Sequence, residues 1–72
     1  MIAIVLIKTE AGKAFSTCCD IRNIEGIERC HVVTGPYDMV AVINSNDSLR
    51  CVIAAIHDTK GVHRTETCIA VS

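Results

Sequence analysis

The segment 33–38 (Val-Thr-Gly-Pro-Tyr-Asp) combines side chains suited to holding a small charged molecule. Asp38 can accept a hydrogen bond from an ammonium group, and Tyr37 can donate one to a carboxylate. Backbone N–H groups near Gly35 can bind an anion, because a residue without a Cβ lets a ligand approach the main chain. The alternative is an ordinary hairpin turn in which Asp38 caps its own backbone. The spacing alone leaves both interpretations open.

A second polar set lies near the C-terminus, where Thr65 and Thr67 stand two residues apart in an otherwise apolar row with Ile69 and Val71. Residues two apart in a strand point to the same face of the sheet. The two hydroxyls therefore either bind something together or simply fit a β surface, where threonine is common.

Histidines and cysteines do not have the spacing of a metal site made by one chain. Cys18 and Cys19 are adjacent on a predicted helix, so their side chains diverge by about 100°. We expect Cys18 in the core and Cys19 exposed, with Cys19 as a candidate reactive thiol. The remaining members of the two sets are interpreted as edge, surface or packed residues: His31, His57, His63, Cys30, Cys51 and Cys68.

Catalytic motifs give no support for an enzyme. The sequence contains no G-x-S-x-G, no P-loop and no G-x-G-x-x-G, and its acidic residues are scattered without an evident acid/base couple. We therefore predict that the chain is not an enzyme and needs no cofactor or metal.

Composition restricts the cellular context and the partners. The 72 residues carry a net charge of -1 without a run of Lys or Arg, which argues against direct binding of nucleic acid. The N-terminus lacks the basic segment of a signal peptide, and no apolar stretch approaches the ~20 residues of a membrane span. The five cysteines are odd in number and form no C-x-x-C. A cytoplasmic protein with reduced thiols and no membrane association is expected.

Apolar periodicity predicts four strands and two helices. Residues 2–7 and 39–43 are apolar on both faces, as in central strands that are covered from two sides. Strands are also predicted at 27–34 and 62–71, and residues 44–47 form a loop rich in helix-capping types. Two helical stripes complete the pattern: Ala11, Ala14, Cys18 and Ile21 with Phe15 beside them, and Leu49, Val52, Ile53 and Ile56.

A weak internal repeat predicts the topology. Gly26-Ile27-x-Arg29 recurs as Gly61-Val62-x-Arg64, 35 residues later. Two tandem βαβ units give one α+β domain over residues 1–72, a ferredoxin-like βαββαβ two-layer sandwich with a four-stranded antiparallel sheet and two helices on one face. Right-handed crossovers place the first and third strands at the centre. The other sheet face stays apolar, so a dimer of the α+β barrel type is expected.

The order of these motifs resembles the ligand-binding domain of the Lrp/AsnC transcription regulators, also called the RAM domain. The resemblance covers essentially the whole chain. Its most specific parts are Thr-Gly-x-Tyr-Asp at 34–38 and Gly-Val-x-x-Thr-x-Thr at 61–67.

The resemblance implies a small-molecule effector, a free amino acid, that binds between dimers. By position, the implied ligand-binding residues are Gly35, Tyr37, Asp38, Thr65 and Thr67. It also implies a homodimer that assembles into a higher oligomer such as an octamer.

Full-length family members have a helix-turn-helix domain before the first strand. This chain begins at the first strand, and so it resembles the stand-alone RAM proteins. We expect a regulatory module of amino acid metabolism or transcription, acting through ligand-linked oligomerisation and associating with full-length regulators. A truncated regulator is the alternative on length. A small dimeric ferredoxin-like enzyme and a ligand-free assembly partner are the alternatives on function.

Overall fold

The computed structural model describes residues 1–44 and 49–72, arranged as βαββαβ. The predicted capping residues at 45–47 lie outside the described residues. None of the described helices is long and apolar enough to cross a membrane. The elements in chain order are β1 (Ile2–Thr9), α1 (Ala14–Arg22), β2 (Ile27–Val32), β3 (Met39–Asn44), α2 (Leu49–His57) and β4 (Val62–Ile69).

The four strands form one antiparallel sheet in the order β2-β3-β1-β4. The predicted ferredoxin-like fold, with the first and third strands at its centre, is confirmed. In the central pair, Val5 lies opposite Ala41 and Ile7 lies opposite Met39. Each of these side chains is fully buried, because it points toward the helices.

The core lies between the helices and one sheet face. Alternate residues of β1 and β3 supply its sheet side, and the helices supply Cys18, Ile21, Val52 and Ile56. Burial of a large aliphatic side chain stabilises a fold by about 1.5–3 kcal/mol, so this layer is the main favourable term. The sheet-side members are Ala3, Val5, Ile7, Met39, Ala41 and Ile43.

The prediction for the first helical stripe was wrong at two positions. Ala11 precedes α1 and is exposed, and Phe15 is 77% exposed. Thr17 takes the buried place and donates a hydrogen bond from Oγ1 to the carbonyl of Lys60 at 3.1 Å. A hydroxyl that has a hydrogen-bond partner can be buried at low cost. The prediction considered hydrophobicity alone and therefore favoured burial of Phe15.

The internal repeat has a packing counterpart. Gly26 and Gly61 follow the two helices with φ of +101° and +97°. A Cβ at Gly26 would lie 2.7 Å from Cγ2 of Val52 on α2, and a Cβ at Gly61 would overlap Oγ1 of Thr17 on α1. Thr17 and Val52 are themselves 35 residues apart. Each repeat therefore places its glycine against the equivalent residue of the other helix.

Several strand ends differ from the prediction. β1 continues to Thr9, and β4 ends at Ile69 rather than at residue 71. β2 ends at Val32 rather than at residue 34, and β3 begins at Met39. The connection between them is therefore longer than the hydrophobic pattern indicated. This longer connection carries the proposed binding segment.

The sheet face opposite the helices is apolar and open in the single chain. Ile2 and Ile4 are 43% and 37% exposed, and their neighbours on the same face include Leu6, Val40 and Val42. We call these five residues the open face. The predicted apolar surface is thus confirmed, whereas its cover by a second copy stays a prediction.

Candidate functional site

The connection between β2 and β3 is anchored at its base by backbone bonds. The Val33 amide donates to the Asp38 carbonyl at 2.9 Å, and the Asp38 amide donates to the Ile7 carbonyl at 3.0 Å. Gly35 lies between these anchors and is exposed, while Tyr37 and Asp38 are half-buried. The turn therefore lies at the end of the sheet, with main chain accessible near Gly35.

The Asp38 carboxylate accepts two hydrogen bonds from Thr9. The Thr9 amide donates to Oδ2 at 2.9 Å, and the Thr9 hydroxyl donates to the same oxygen at 3.2 Å. The backbone bond from Thr9 is the main cause that lowers the pKa of Asp38, and the nearby Lys8 ammonium acts in the same direction. Asp38 is therefore ionised at neutral pH.

These contacts bear on the two interpretations of Asp38 that the sequence left open, a ligand-binding residue and a cap of its own hairpin turn. Asp38 binds β1 rather than capping its own turn. Both Thr9 bonds end on Oδ2, and a carboxylate offers about four acceptor positions in total, so Asp38 can accept further donors. Lys8 also reaches the turn, donating from Nζ to the Pro36 carbonyl at 3.4 Å.

Thr65 and Thr67 lie on the helix side of β4, opposite Ile7 and Val5 of β1. They share one face, as the sequence predicted. Thr65 is half-buried and Thr67 is exposed. His57, the last residue of α2, places Nε2 2.6 Å from the Thr65 hydroxyl oxygen. The bond fixes the hydroxyl toward the helix end.

A shallow depression of about 370 Å³ lies beside this histidine–threonine pair. It opens along the outer edge of the sheet, since β4 is a terminal strand. Several of its lining groups can donate hydrogen bonds. The lining residues are His57, Val62, His63, Arg64 and Thr65.

The two parts of the predicted site, the turn with Asp38 and the strand with Thr65, lie at the same end of the sheet. No hydrogen bond joins the side chains of Asp38 and Thr65, since each of them bonds to a different partner. Ile7 pairs with Met39 on one side and with Thr65 on the other. Strands are spaced about 4.8 Å apart, so the start of β3 and Thr65 are separated by roughly 10 Å. Asp38 bonds to Thr9, and Thr65 bonds to His57. Among the described residues, the candidate site is therefore divided into two half-sites, the turn with Asp38 and the strand with Thr65.

The site contains two residues that sequence reasoning missed. The sequence pattern places Thr9 in a turn, because the apolar run ends at Ile7, and nothing in it reveals the register of Thr9 with Asp38. The same pattern indicates a surface histidine at His57. Its place at the end of the second stripe, eight residues before Thr65, is the one signal that could have linked them.

The described residues that lie between the sheet and the helices form the apolar core. Among the described residues, the buried polar side chains there are Thr9 and Thr17, and neither is an acid or a base at neutral pH. No group of three or more metal-ligating side chains occurs within residues 1–44 and 49–72. The arrangement offers hydrogen-bonding and ionic contacts for a ligand at the surface.

Comparison with known proteins identifies the family. The model of the Lrp/AsnC ligand binding domain matches residues 2–72. The chain belongs to this family. Its resemblance to the RAM domain is therefore confirmed, including the four-stranded sheet with two helices.

A regulator and a solved structure match this RAM domain at over 30% identity. HTH-type transcriptional regulator FL11 of Pyrococcus abyssi (strain GE5 / Orsay) is 34% identical over 73 residues, covering 99% of this chain and 48% of the regulator. The chain thus spans about half the length of that relative. The crystal structure of TTHA0845 from Thermus thermophilus has a TM-score of 0.87 and 31% identity, covering 99% of this chain and 92% of that one.

A more distant structure shares the RAM fold. The feast or famine regulatory protein of M. tuberculosis, complexed with L-methionine, gives a TM-score of 0.78 at 23% identity. The similarity covers 99% of this chain and 50% of that protein.

Proposed function

We propose that the chain is an amino-acid-binding regulatory module rather than an enzyme. The observation that carries this proposal is the match of the Lrp/AsnC ligand-binding domain over residues 2–72. The M. tuberculosis protein of the same fold was solved with L-methionine, which supports a free amino acid as the ligand class. The module would work in the cytoplasm in control of transcription or amino acid metabolism.

A free amino acid is a zwitterion, so its site needs an acceptor for the ammonium and donors for the carboxylate. Asp38 supplies an ionised acceptor at the surface, held in position by Thr9. Backbone amides near the exposed Gly35 supply donors, and the Tyr37 hydroxyl can add one. The turn thus offers an acceptor for the ammonium group and donors for the carboxylate within a few residues.

The second half-site would read the ligand side chain. Thr65 and Thr67 can donate or accept hydrogen bonds, and His57 keeps the Thr65 hydroxyl oriented. Because one subunit presents two separated half-sites, we place the ligand at a contact between dimers, where the turn of one copy can meet the strand of another.

Assembly is part of the proposed function. The open face would pair two chains into a homodimer, and the ligand contacts would join dimers into a higher oligomer such as an octamer. Any ligand that binds between dimers favours the assembled form by linkage. The same surfaces would allow mixing with full-length Lrp/AsnC regulators.

A thermal-shift panel of the twenty free amino acids tests ligand binding. L-Methionine is the first probe, and at least one amino acid is expected to raise the melting temperature, because a ligand that binds the native state stabilises it. A panel with no shift and no heat in calorimetry would leave the ligand-free assembly partner as the better account.

Titration calorimetry with the amino acid that scores then tests the turn. Asp38→Ala should lower affinity roughly ten- to a hundredfold, since it removes a charge-assisted hydrogen bond. Asp20→Ala, the same change on the exposed surface of α1, is the matched control and should bind as wild type does. Equal affinity in all three proteins would remove Asp38 from the site.

A further inference from the structure

Two buried cysteines face each other between α1 and β2. Sγ of Cys18 lies 3.5 Å from Sγ of Cys30 and 3.6 Å from the Cys30 carbonyl oxygen. Both residues are at most 2% exposed. The two sulfurs are therefore in van der Waals contact, while both thiols are free.

Arg22 holds the two elements together beside this pair. Its Nε and Nη2 atoms donate to the Cys30 carbonyl at 3.0 Å and 2.8 Å. One carbonyl thus receives the guanidinium, and the Cys18 thiol lies within reach of the same oxygen. These bonds fix α1 against β2 and keep the sulfurs close.

Both cysteines border the surface despite their burial. Cys18 lines a depression of about 320 Å³ that also contacts Cys19, and Cys30 lines a neighbouring one of about 280 Å³. Arg22 and His31 line both depressions. A molecule as small as a hydroperoxide can therefore approach the pair through these depressions.

We propose that Cys18 and Cys30 form a reversible disulfide when the protein meets a small hydroperoxide. A disulfide needs sulfurs about 2.05 Å apart, so the two sulfurs, which lie 3.5 Å apart, must close by about 1.5 Å for the bond to form. Intracellular disulfides are typically redox-sensing, which suits a regulatory module.

The chemistry balances in two steps. Cys18 loses its proton to water, its sulfur attacks the peroxide, the O–O bond breaks and a sulfenic acid forms with release of water or an alcohol. The Cys30 sulfur then attacks the Cys18 sulfur, the S–O bond breaks, and water leaves with the Cys30 proton. Two thiols lose two electrons, and one peroxide gains them.

The roles of the two cysteines differ because their surroundings differ. Burial, followed by the contact with Cys18, raises the pKa of Cys30 to about 12. Cys30 therefore stays a thiol at neutral pH and is a poor first nucleophile. Cys18, which lines the depression that also contains the exposed Cys19, is therefore assigned as the thiol that attacks the peroxide.

The test uses a variant that keeps only this pair: Cys19→Ser, Cys51→Ser and Cys68→Ser, all at exposed positions. After treatment with hydrogen peroxide, trypsin should release Ala14–Arg22 joined to residues 30–50, lighter by two hydrogens than the separate peptides. Dithiothreitol should separate them.

The control adds Cys18→Ala to the three-serine variant and should give no cross-link. The oxidised three-serine variant should melt about 5–15 °C higher than its reduced form, because a disulfide restricts the unfolded chain. Two free thiols after peroxide, a cross-link that lowers the melting temperature, or further oxidation of Cys18 without a cross-link would each overturn the proposal.

Discussion

At the scale of single residues, Asp38 has two tasks in this account. It anchors the turn to β1 through Thr9, and in the proposed function its ionised carboxylate also accepts a hydrogen bond from the ligand. The carboxylate itself could be singled out from the sequence, because it follows Gly35, Pro36 and Tyr37 in a turn. Its partner could not, because a hydrogen bond between residues 29 apart depends on strand register.

The anchoring task gives a pH prediction. The pKa of Asp38 is lowered from an ordinary value of 3.8, so its contribution to stability is present above that value and is lost as pH falls below it. Asp38→Asn should therefore lower the melting temperature at pH 7, and the difference from wild type should shrink as the pH falls below the ordinary pKa of 3.8. Thermal unfolding monitored by circular dichroism measures both. A difference that grows toward low pH would contradict the assignment.

At the scale of elements, the structure depends on two close approaches between turns and helices. The repeated Gly-(Ile/Val)-x-Arg phrase predicted two equivalent turns, and the structure gives the reason for each glycine. Gly26 packs against Val52 and Gly61 packs against Thr17, so neither turn has room for a side chain.

Gly61→Ala should therefore destabilise the fold by about 2–4 kcal/mol, combining the cost of a positive φ with overpacking against Thr17. Gly12→Ala is the matched control, since Gly12 also has a positive φ but no atom within 4 Å of an added Cβ. It should cost only about 1–2 kcal/mol. Urea unfolding of both variants measures the difference, and equal losses would show that the contact with Thr17 has no energetic weight.

The elements themselves were largely readable from the sequence. Strands that are apolar on both faces could be assigned to the sheet centre, and the α2 stripe was correct because its four apolar residues follow one helical face. The α1 stripe failed where hydrophobicity competed with geometry. Phe15 is apolar yet exposed, and Thr17 is polar yet buried, because helix phase is set by Cys18, Ile21 and the turn at Gly61.

At the scale of the whole molecule, the open face is the feature that a single chain leaves unexplained. An apolar sheet surface in water is a typical site of association. Val42→Asp should convert a dimer into a monomer or unfold the chain, because a charge without a partner cannot stay in an apolar interface. Ala54→Asp, which adds the same charge on an exposed position of α2, should leave the dimer intact.

Sedimentation velocity at micromolar concentration distinguishes these variants. Wild type and Ala54→Asp should sediment as dimers or larger species. A monomeric wild type would remove the proposed role of the open face, and dissociation by both variants would show that charge rather than position matters.

Duplex DNA provides a further test at this scale. The chain carries a net charge of -1, and phosphate binding requires a basic surface. A purified sample should give no sequence-dependent retardation of duplex DNA in a gel. Specific, salt-sensitive retardation would overturn the proposal that this chain acts through ligand and partner binding alone.

The central claim is that amino acid binding and assembly are linked. Light scattering at one fixed micromolar protein concentration, repeated with each of the twenty amino acids, tests it most directly. We predict that at least one amino acid raises the weight-average mass above that of the ligand-free protein, because the ligand joins dimers. The same mass in all twenty solutions would contradict the account.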